Sequence, residues 1–236
     1  MTRIQGVSRS QAGPLLRLTY RVARRKTAKL TQRETERMIE PVEVFGHVPK
    51  LLYGWGALET AHEKVNRVEH RLKELVQLKA ATLAQCEYCI DIGSAVARNT
   101  GLSDAQLLAL AHYRESELFD ELEKLVLDYA VGMSSTPVDV SDELFASLRT
   151  HFDDAQLVEL TMSIALENLR SRFNGAFEIG SAGFTEGMVC AVPVTADTTI
   201  QAAAASTSAT RAPAAAGLAT DAASPRATPS GARIGV

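Results

Sequence analysis

Val68-Glu69-His70-Arg71-Leu72-Lys73-Glu74-Leu75-Val76-Gln77-Leu78-Lys79-Ala80-Ala81-Thr82-Leu83-Ala84 decides the fold class. Leu72, Leu75, Val76, Leu78 and Leu83 fall at overlapping i, i+3 and i+4 positions, the period of an amphipathic or nearly buried helix. The same period continues outward in both directions. A helix is expected from Cys86 to Asn99, stopped by Thr100-Gly101, and Ser103-Asp104-Ala105-Gln106 reads as a capping box that opens the next through Ala109 and His112. Leu118 to Gly132 carries Leu122, Leu125, Val126 and Tyr129 inward. After the break at Pro137, Ser141 caps a short helix to Arg149, and Asp153 or Asp154 opens a long one from Ala155 to Ile179. Glu34 to Phe45 and Lys50 to His62 are less regular helical segments separated by Pro49. No sustained apolar/polar alternation and no Asn-Gly or Asp-Gly hairpin turn argues for a strand. The expected fold is all-α.

Composition sets the limits of the folded unit. The chain has 236 residues, enough for one domain with an appendage. From Val192 onward it is Ala, Thr, Ser and Pro without an aromatic, too few large apolar side chains to offset the entropy of ordering. Residues 14–191 are therefore expected to form the domain, with a flexible N-terminus at 1–13 and a disordered tail at 192–236. The net charge of −3 gives no reason to expect a nucleic-acid partner. No acidic residue precedes Glu34, whereas Arg17, Arg21, Arg24, Arg25, Lys26 and Lys29 cluster there. They read as the basic solvated face of a helix that packs on the domain, with a transit peptide as the alternative. No apolar run approaches the ~20 residues of a membrane span, so no membrane partner is expected. A reducing cytoplasmic setting follows, in which a CxxC is more often catalytic than structural.

Cys86-Glu87-Tyr88-Cys89 carries the chemistry. Two thiols three residues apart at the start of a helix share one face, and the unpaired N–H groups of that end favour a thiolate. A zinc site would need a second ligand pair, and the chain offers only Cys190 and five scattered histidines. A thioredoxin setting would need strands. The remaining alternatives are a redox pair and two inert buried cysteines. A redox thiol needs a proton acceptor, and Glu74, on the preceding helix among Leu72, Leu75, Val76 and Leu78, is the candidate. At ~1.5 Å rise per residue the chain must turn between Glu74 and Cys86 for the two to approach.

Glu74, the Cys86-Glu87-Tyr88-Cys89-Ile90-Asp91-Ile92-Gly93-Ser94-Ala95 run and Gly101-Leu102-Ser103 together resemble the carboxymuconolactone decarboxylase family, in particular its alkyl hydroperoxidase D-like branch. Leu157 to Leu160, Glu167-Asn168 and Arg172-Phe173-Asn174 resemble that family's closing helix, so the likeness spans roughly residues 14 to 190. The resemblance implies an all-α, multi-helix alkyl hydroperoxidase D-like bundle that assembles as a homotrimer or homohexamer. It also implies a peroxiredoxin-type antioxidant activity on small hydroperoxides, with no bound cofactor or metal and with an external dithiol donor protein as reductant. Carried over, Cys89 is the peroxidatic thiol, Cys86 the resolving thiol and Glu74 the proton acceptor. The family's relay histidine is replaced by Gly93, and Tyr88 stands where some members have a second histidine. Tyr88 is then an auxiliary hydroxyl, a poor base at its ordinary pKa of ~10. The alternatives are a lactone decarboxylase-like lyase, which needs no thiols, and a non-catalytic interaction protein.

Asn168, Arg170, Arg172 and Asn174 punctuate an otherwise apolar helix and read, with Glu159, as a hydrogen-bonded network between helices or between subunits; a ligand pocket is the alternative. Tyr53 and Trp55 read as core or interface aromatics, and Cys190 as a thiol without a partner.

Overall fold

The all-α expectation holds in the computed structural model, which describes residues 2–194. Among those residues there is no strand, and nine α-helices follow one another: α1 (Pro14–Thr31), α2 (Glu40–Phe45), α3 (Pro49–Lys64), α4 (His70–Leu83), α5 (Glu87–Asn99), α6 (Asp104–Ala109, continued by a 3-10 turn at Leu110–His112), α7 (Glu121–Ser134), α8 (Asp142–Arg149) and α9 (Asp154–Ala176). From residue 195 the expected disordered tail lies outside the described residues.

Capping chemistry sets most boundaries. Ser103 with Gln106, Asp120 with Glu123 and Asp153 with Gln156 each form a reciprocal box that satisfies orphan N–H groups at a helix start. The Asp120 box explains why α7 begins at Glu121 and not at Leu118, whose carbonyl instead accepts from Gln106. α2 is shorter than its sequence pattern because Pro41 sits at its first turn, where a missing N–H is harmless; a helix already running through Arg37 would meet the ring.

α4 lies at the centre, packed against α5, α7 and α9. Leu75, Leu78 and Ala81 face one apolar cluster with Leu16, Met38, Ile90, Leu107 and Phe184. Leu72, Val76 and Ala80 face another, with Val126, Tyr129, Leu148, Leu160 and Ile164. A helix buried on both sides must satisfy its polar side chains internally. Lys73 Nζ donates to Glu159 Oε1 at 2.6 Å and to the Val65 carbonyl at 2.7 Å, while Glu159 Oε2 accepts the Arg67 and Val68 N–H groups. That cluster clamps the α3–α4 loop to α9, the network role expected for Glu159.

α1 buries Leu16 and Tyr20 against α2 and α5 and leaves Arg17, Arg21 and Arg25 exposed, as its basic amphipathic pattern requires. The stretch ahead of it, residues 1–13, expected to be flexible, is held at several points from Arg3 onward. Arg3 N–H donates to the Phe177 carbonyl, Val7 N–H to that of Glu43, and the Tyr20 hydroxyl to that of Val7. Beyond Ala191 the chain stays tied to the end of α4, with Val194 N–H on the Thr82 carbonyl at 3.1 Å. Among the described residues no helix is long and apolar enough to cross a membrane.

Candidate active site

The turn between α4 and α5 places the cysteines. Ala84 caps α4, Gln85 adopts a left-handed conformation (φ 54°), and the Cys86 and Gln85 N–H groups bond back to Ala81 and Thr82. This Schellman arrangement satisfies the last carbonyls of α4 and delivers Cys86 as the N-cap of α5, its Sγ accepting the Cys89 N–H at 3.3 Å. Cys86 and Cys89 are joined as a disulfide with Cα atoms 5.2 Å apart, and both are buried.

α9 supplies the polar wall. Its own Schellman turn, with Glu178 at φ 53° and Ile179 N–H on the Asn174 carbonyl, ends the helix beside the disulfide. Asn174 Nδ2 lies 3.7 Å from Cys86 Sγ and 3.4 Å from Cys89 Sγ, and Ser171 Oγ lies 3.5 Å from Cys89 Sγ. Ser171 also reaches Glu167 Oε1 at 3.1 Å, while Glu167 Oε2 takes Arg170 Nη1 at 2.9 Å. Arg170 forks onto both oxygens of Glu59 at 2.8 and 2.5 Å and bonds Gln77 Oε1 at 2.8 Å. Burial pushes the Glu167 carboxyl above the ordinary range, and Arg170 only partly offsets it. Of the polar residues read on this helix, Arg170, Asn168 (to Ser134) and Arg172 (to Thr136) are network residues as expected, whereas Asn174 touches both sulfurs. Ser171 and Glu167 had no assigned role in the sequence; the Glu167, Ser171, Asn174 spacing of four and then three residues, which puts them on one helix face, was the available signal.

Glu74 is not brought to the sulfurs. Among the described residues no hydrogen bond joins it to either cysteine; its nearest ion partner is His70 Nδ1 at 3.6 Å, and its side chain is 17% exposed. It lines a cavity of about 910 Å³, largely apolar, together with Trp55, Gln77, Ile92 and Arg170. Burial raises its pKa, opposed by His70 and Arg170. Tyr88 turns its hydroxyl onto the Met38 carbonyl at 2.5 Å, and burial pushes its pKa up, so its proton is committed away from the thiols.

Gly93 packs α5 onto α4, where an added Cβ would stand 3.1 Å from Leu78 Cδ1. A side chain at this position would have to displace that Leu78 methyl. Gly93→His is therefore expected to lower stability by about 1–3 kcal/mol, seen as a lower urea midpoint. A variant of unchanged stability would contradict this packing.

Cys86, itself buried, lines a second cleft of about 1140 Å³, walled by Glu36, Glu40, Glu43, Glu87, Glu178 and residues 180–181. Asp91, one turn into α5, fixes the adjoining loop. Its Oδ2 accepts the Ser181 hydroxyl and the N–H groups of Ala182, Gly183 and Phe184, and its Oδ1 accepts the N–H and hydroxyl of Thr185, all at 2.7–3.0 Å. Cys190 is half-buried on α5, 3.4 Å from Ser94 Oγ, so it has neighbours that its sequence position did not suggest.

A model of the carboxymuconolactone decarboxylase family matches residues 49–131. The uncharacterized protein YnjA of Escherichia coli is 38% identical over 176 residues, covering 72% of this chain and 91% of that protein. The apo structure of the debrominase Bmp8 shares the fold with a TM-score of 0.66 at 21% identity, over 78% of this chain and 94% of that one. An uncharacterized peroxidase-related protein from Ralstonia eutropha, an alkylhydroperoxidase AhpD core, shares it with a TM-score of 0.63 at 16% identity, over 78% and 94%.

Proposed function

This chain belongs to the carboxymuconolactone decarboxylase family, on its alkyl hydroperoxidase D-like branch, and from that premise we propose that it reduces hydroperoxides by cycling Cys86 and Cys89 between dithiol and disulfide. The observation that carries this reading is the Cys86–Cys89 disulfide at the N-terminus of α5, with Ser171 and Asn174 on its sulfurs and Cys86 open to a cleft.

The Cys89 thiolate attacks the terminal peroxide oxygen, the O–O bond breaks, and the alkoxide leaves with a proton as the alcohol. The resulting Cys89 sulfenic acid is attacked by Cys86 sulfur; the S–O bond breaks, water leaves, and the disulfide forms. An external dithiol, a protein donor from a reducing cytoplasm, then attacks the Cys86 sulfur, whose residue lines the cleft, and carries the two oxidising equivalents away as its own disulfide. Protein dipoles favour the thiolate, since Asn174 donates toward both sulfurs and the N-terminus of α5 faces Cys86. Glu74, its pKa raised by burial, can serve as a proton acceptor only through intervening groups, since it touches neither sulfur and the cavity it lines includes neither cysteine.

Fully reduced protein treated with one equivalent of an alkyl hydroperoxide is expected to lose two titratable thiols and to yield a peptide in which Cys86 and Cys89 are joined. Retention of both thiols after peroxide treatment would reject the activity.

A further inference from the structure

We propose that Ser171 and Glu167 form the proton path of Cys89, with the serine hydroxyl as the relay and the glutamate as the first acceptor. The proposal rests on the redox reading of the cysteine pair, but its geometry is independent of which oxidant the pair meets.

Cys89 Sγ, Ser171 Oγ and Glu167 Oε1 stand in a row at 3.5 and 3.1 Å, on residues buried to 5, 2 and 6% exposure. A hydroxyl carries a single hydrogen, and in the disulfide form two acceptors compete for it. The carboxylate is the stronger acceptor, so the contact with sulfur stays idle while the pair is oxidised. Reduction changes this: the Cys89 thiol gains a hydrogen and can donate it to the free lone pair of Ser171 Oγ. Heterolysis of the S–H bond leaves its electron pair on sulfur, the proton passes to Ser171 Oγ, and the hydroxyl's own hydrogen passes to Glu167 Oε1. A thiol and a carboxylate become a thiolate and a carboxylic acid, with charge conserved.

Two features make Glu167 able to take that proton. Arg170 is shared with Glu59, which occupies its other face through two hydrogen bonds, so Glu59, Arg170 and Glu167 together carry one uncompensated negative charge in a buried site. Protonating Glu167 removes that charge and leaves the Glu59–Arg170 pair intact. Asn174 Nδ2, 3.4 Å from Cys89 Sγ, is in place to hold the thiolate once the proton has gone. The charged groups around Glu167 are Arg170 on its own helix and Glu59 from α3; Arg170 acts in turn on Glu74 from α4 and His62 from α3.

The test uses full-length protein carrying Cys86→Ser and Cys190→Ser, which leaves Cys89 as the sole thiol. Its alkylation rate by iodoacetamide is followed against pH by mass spectrometry, with a thermal melt for each variant. Glu167→Gln keeps the shape and the acceptor for Ser171 but takes no proton. It is expected to react roughly tenfold more slowly at neutral pH, with the profile moved up by about one pH unit. Ser171→Ala is expected to shift the profile the same way, and Ser171→Thr to keep the parental profile. A folded Glu167→Gln or Ser171→Ala variant with the parental rate and profile overturns the relay. Alkylation needs no peroxide, so the relay is supported by shifted profiles even in a protein that consumes none, an outcome that would sink the peroxide reading alone.

Discussion

Replacing Asp91 with alanine is expected to destabilise the fold by about 3–5 kcal/mol, the range seen when one partner of a buried charged network is removed. The side chain accepts six hydrogen bonds, four of them from the successive N–H groups of residues 182–185, and is 2% exposed. Alanine leaves those donors facing a void, each at a cost of about 1–3 kcal/mol before water enters. It also frees Phe184 and Ala182 from their places in the core, and with them the 180–181 wall of the cleft over Cys86. The effect has a pH signature. Burial alone would push the Asp91 carboxyl up, but the hydrogen bonds from Thr185, Ser181 and Phe184 outweigh it and hold the pKa below the usual carboxylate range. A carboxylate depressed in the folded state contributes its full stabilisation above its unfolded pKa of about 3.9 and loses it as pH falls through the folded value. The stability gap between wild type and Asp91→Asn in urea titrations should therefore be flat from about pH 8 to pH 5 and narrow below about pH 4. Glu43, Glu74 and Glu167 have pKa values raised by burial and work with the opposite sign, favouring the fold as they protonate. They are common to both proteins, so the difference isolates Asp91. A gap that is constant or widens toward pH 3 would contradict the assignment.

The reason Asp91 escaped the sequence while Ser103 and Asp153 did not is one of range. A capping box is written within four consecutive residues: the Ser103 box formed where Ser-x-x-Gln predicted it, and of the two candidates Asp153 and Asp154 it is Asp153 that caps α9, boxed with Gln156. Asp91 is satisfied by backbone N–H groups more than ninety positions away, and an N–H carries no sequence signature. The turns after α4 and α9 were obscure for a related reason. Gln85 and Glu178 occupy left-handed positions that usually advertise themselves as glycine. The cysteine pair at the head of α5 was legible because its chemistry and its cap are local. Ser171, Glu167 and Asn174 were only half legible: polar side chains every three or four residues look alike whether they face water, a neighbouring helix or sulfur. Only the packing of α9 across α5 tells which face meets the disulfide.

Cys89→Ser is expected to abolish peroxide consumption, and Cys86→Ser to permit a single turnover that stops at a Cys89 sulfenic acid. The asymmetry follows from what each sulfur touches. Cys89 has a hydroxyl and an amide donor from α9 within 3.5 Å and no opening of its own onto the solvent cleft. Cys86 caps α5, receives the Cys89 N–H, and reaches that cleft, a position suited to the sulfur that an incoming dithiol must strike. A serine at 89 cannot stand in, because an alkoxide is inaccessible near neutral pH where a thiolate is populated. A serine at 86 leaves the first step intact but removes the thiol that would displace water from the sulfenic acid, so a second peroxide carries Cys89 on to the sulfinic acid. Trapping with dimedone followed by peptide mass spectrometry should place one adduct on Cys89 in Cys86→Ser and none in Cys89→Ser. The reverse pattern, an adduct on Cys86 in Cys89→Ser with an inert Cys86→Ser protein, would make the N-cap sulfur the nucleophile. In that case the pull of the helix N-terminus on a thiolate outweighs the two donors of α9.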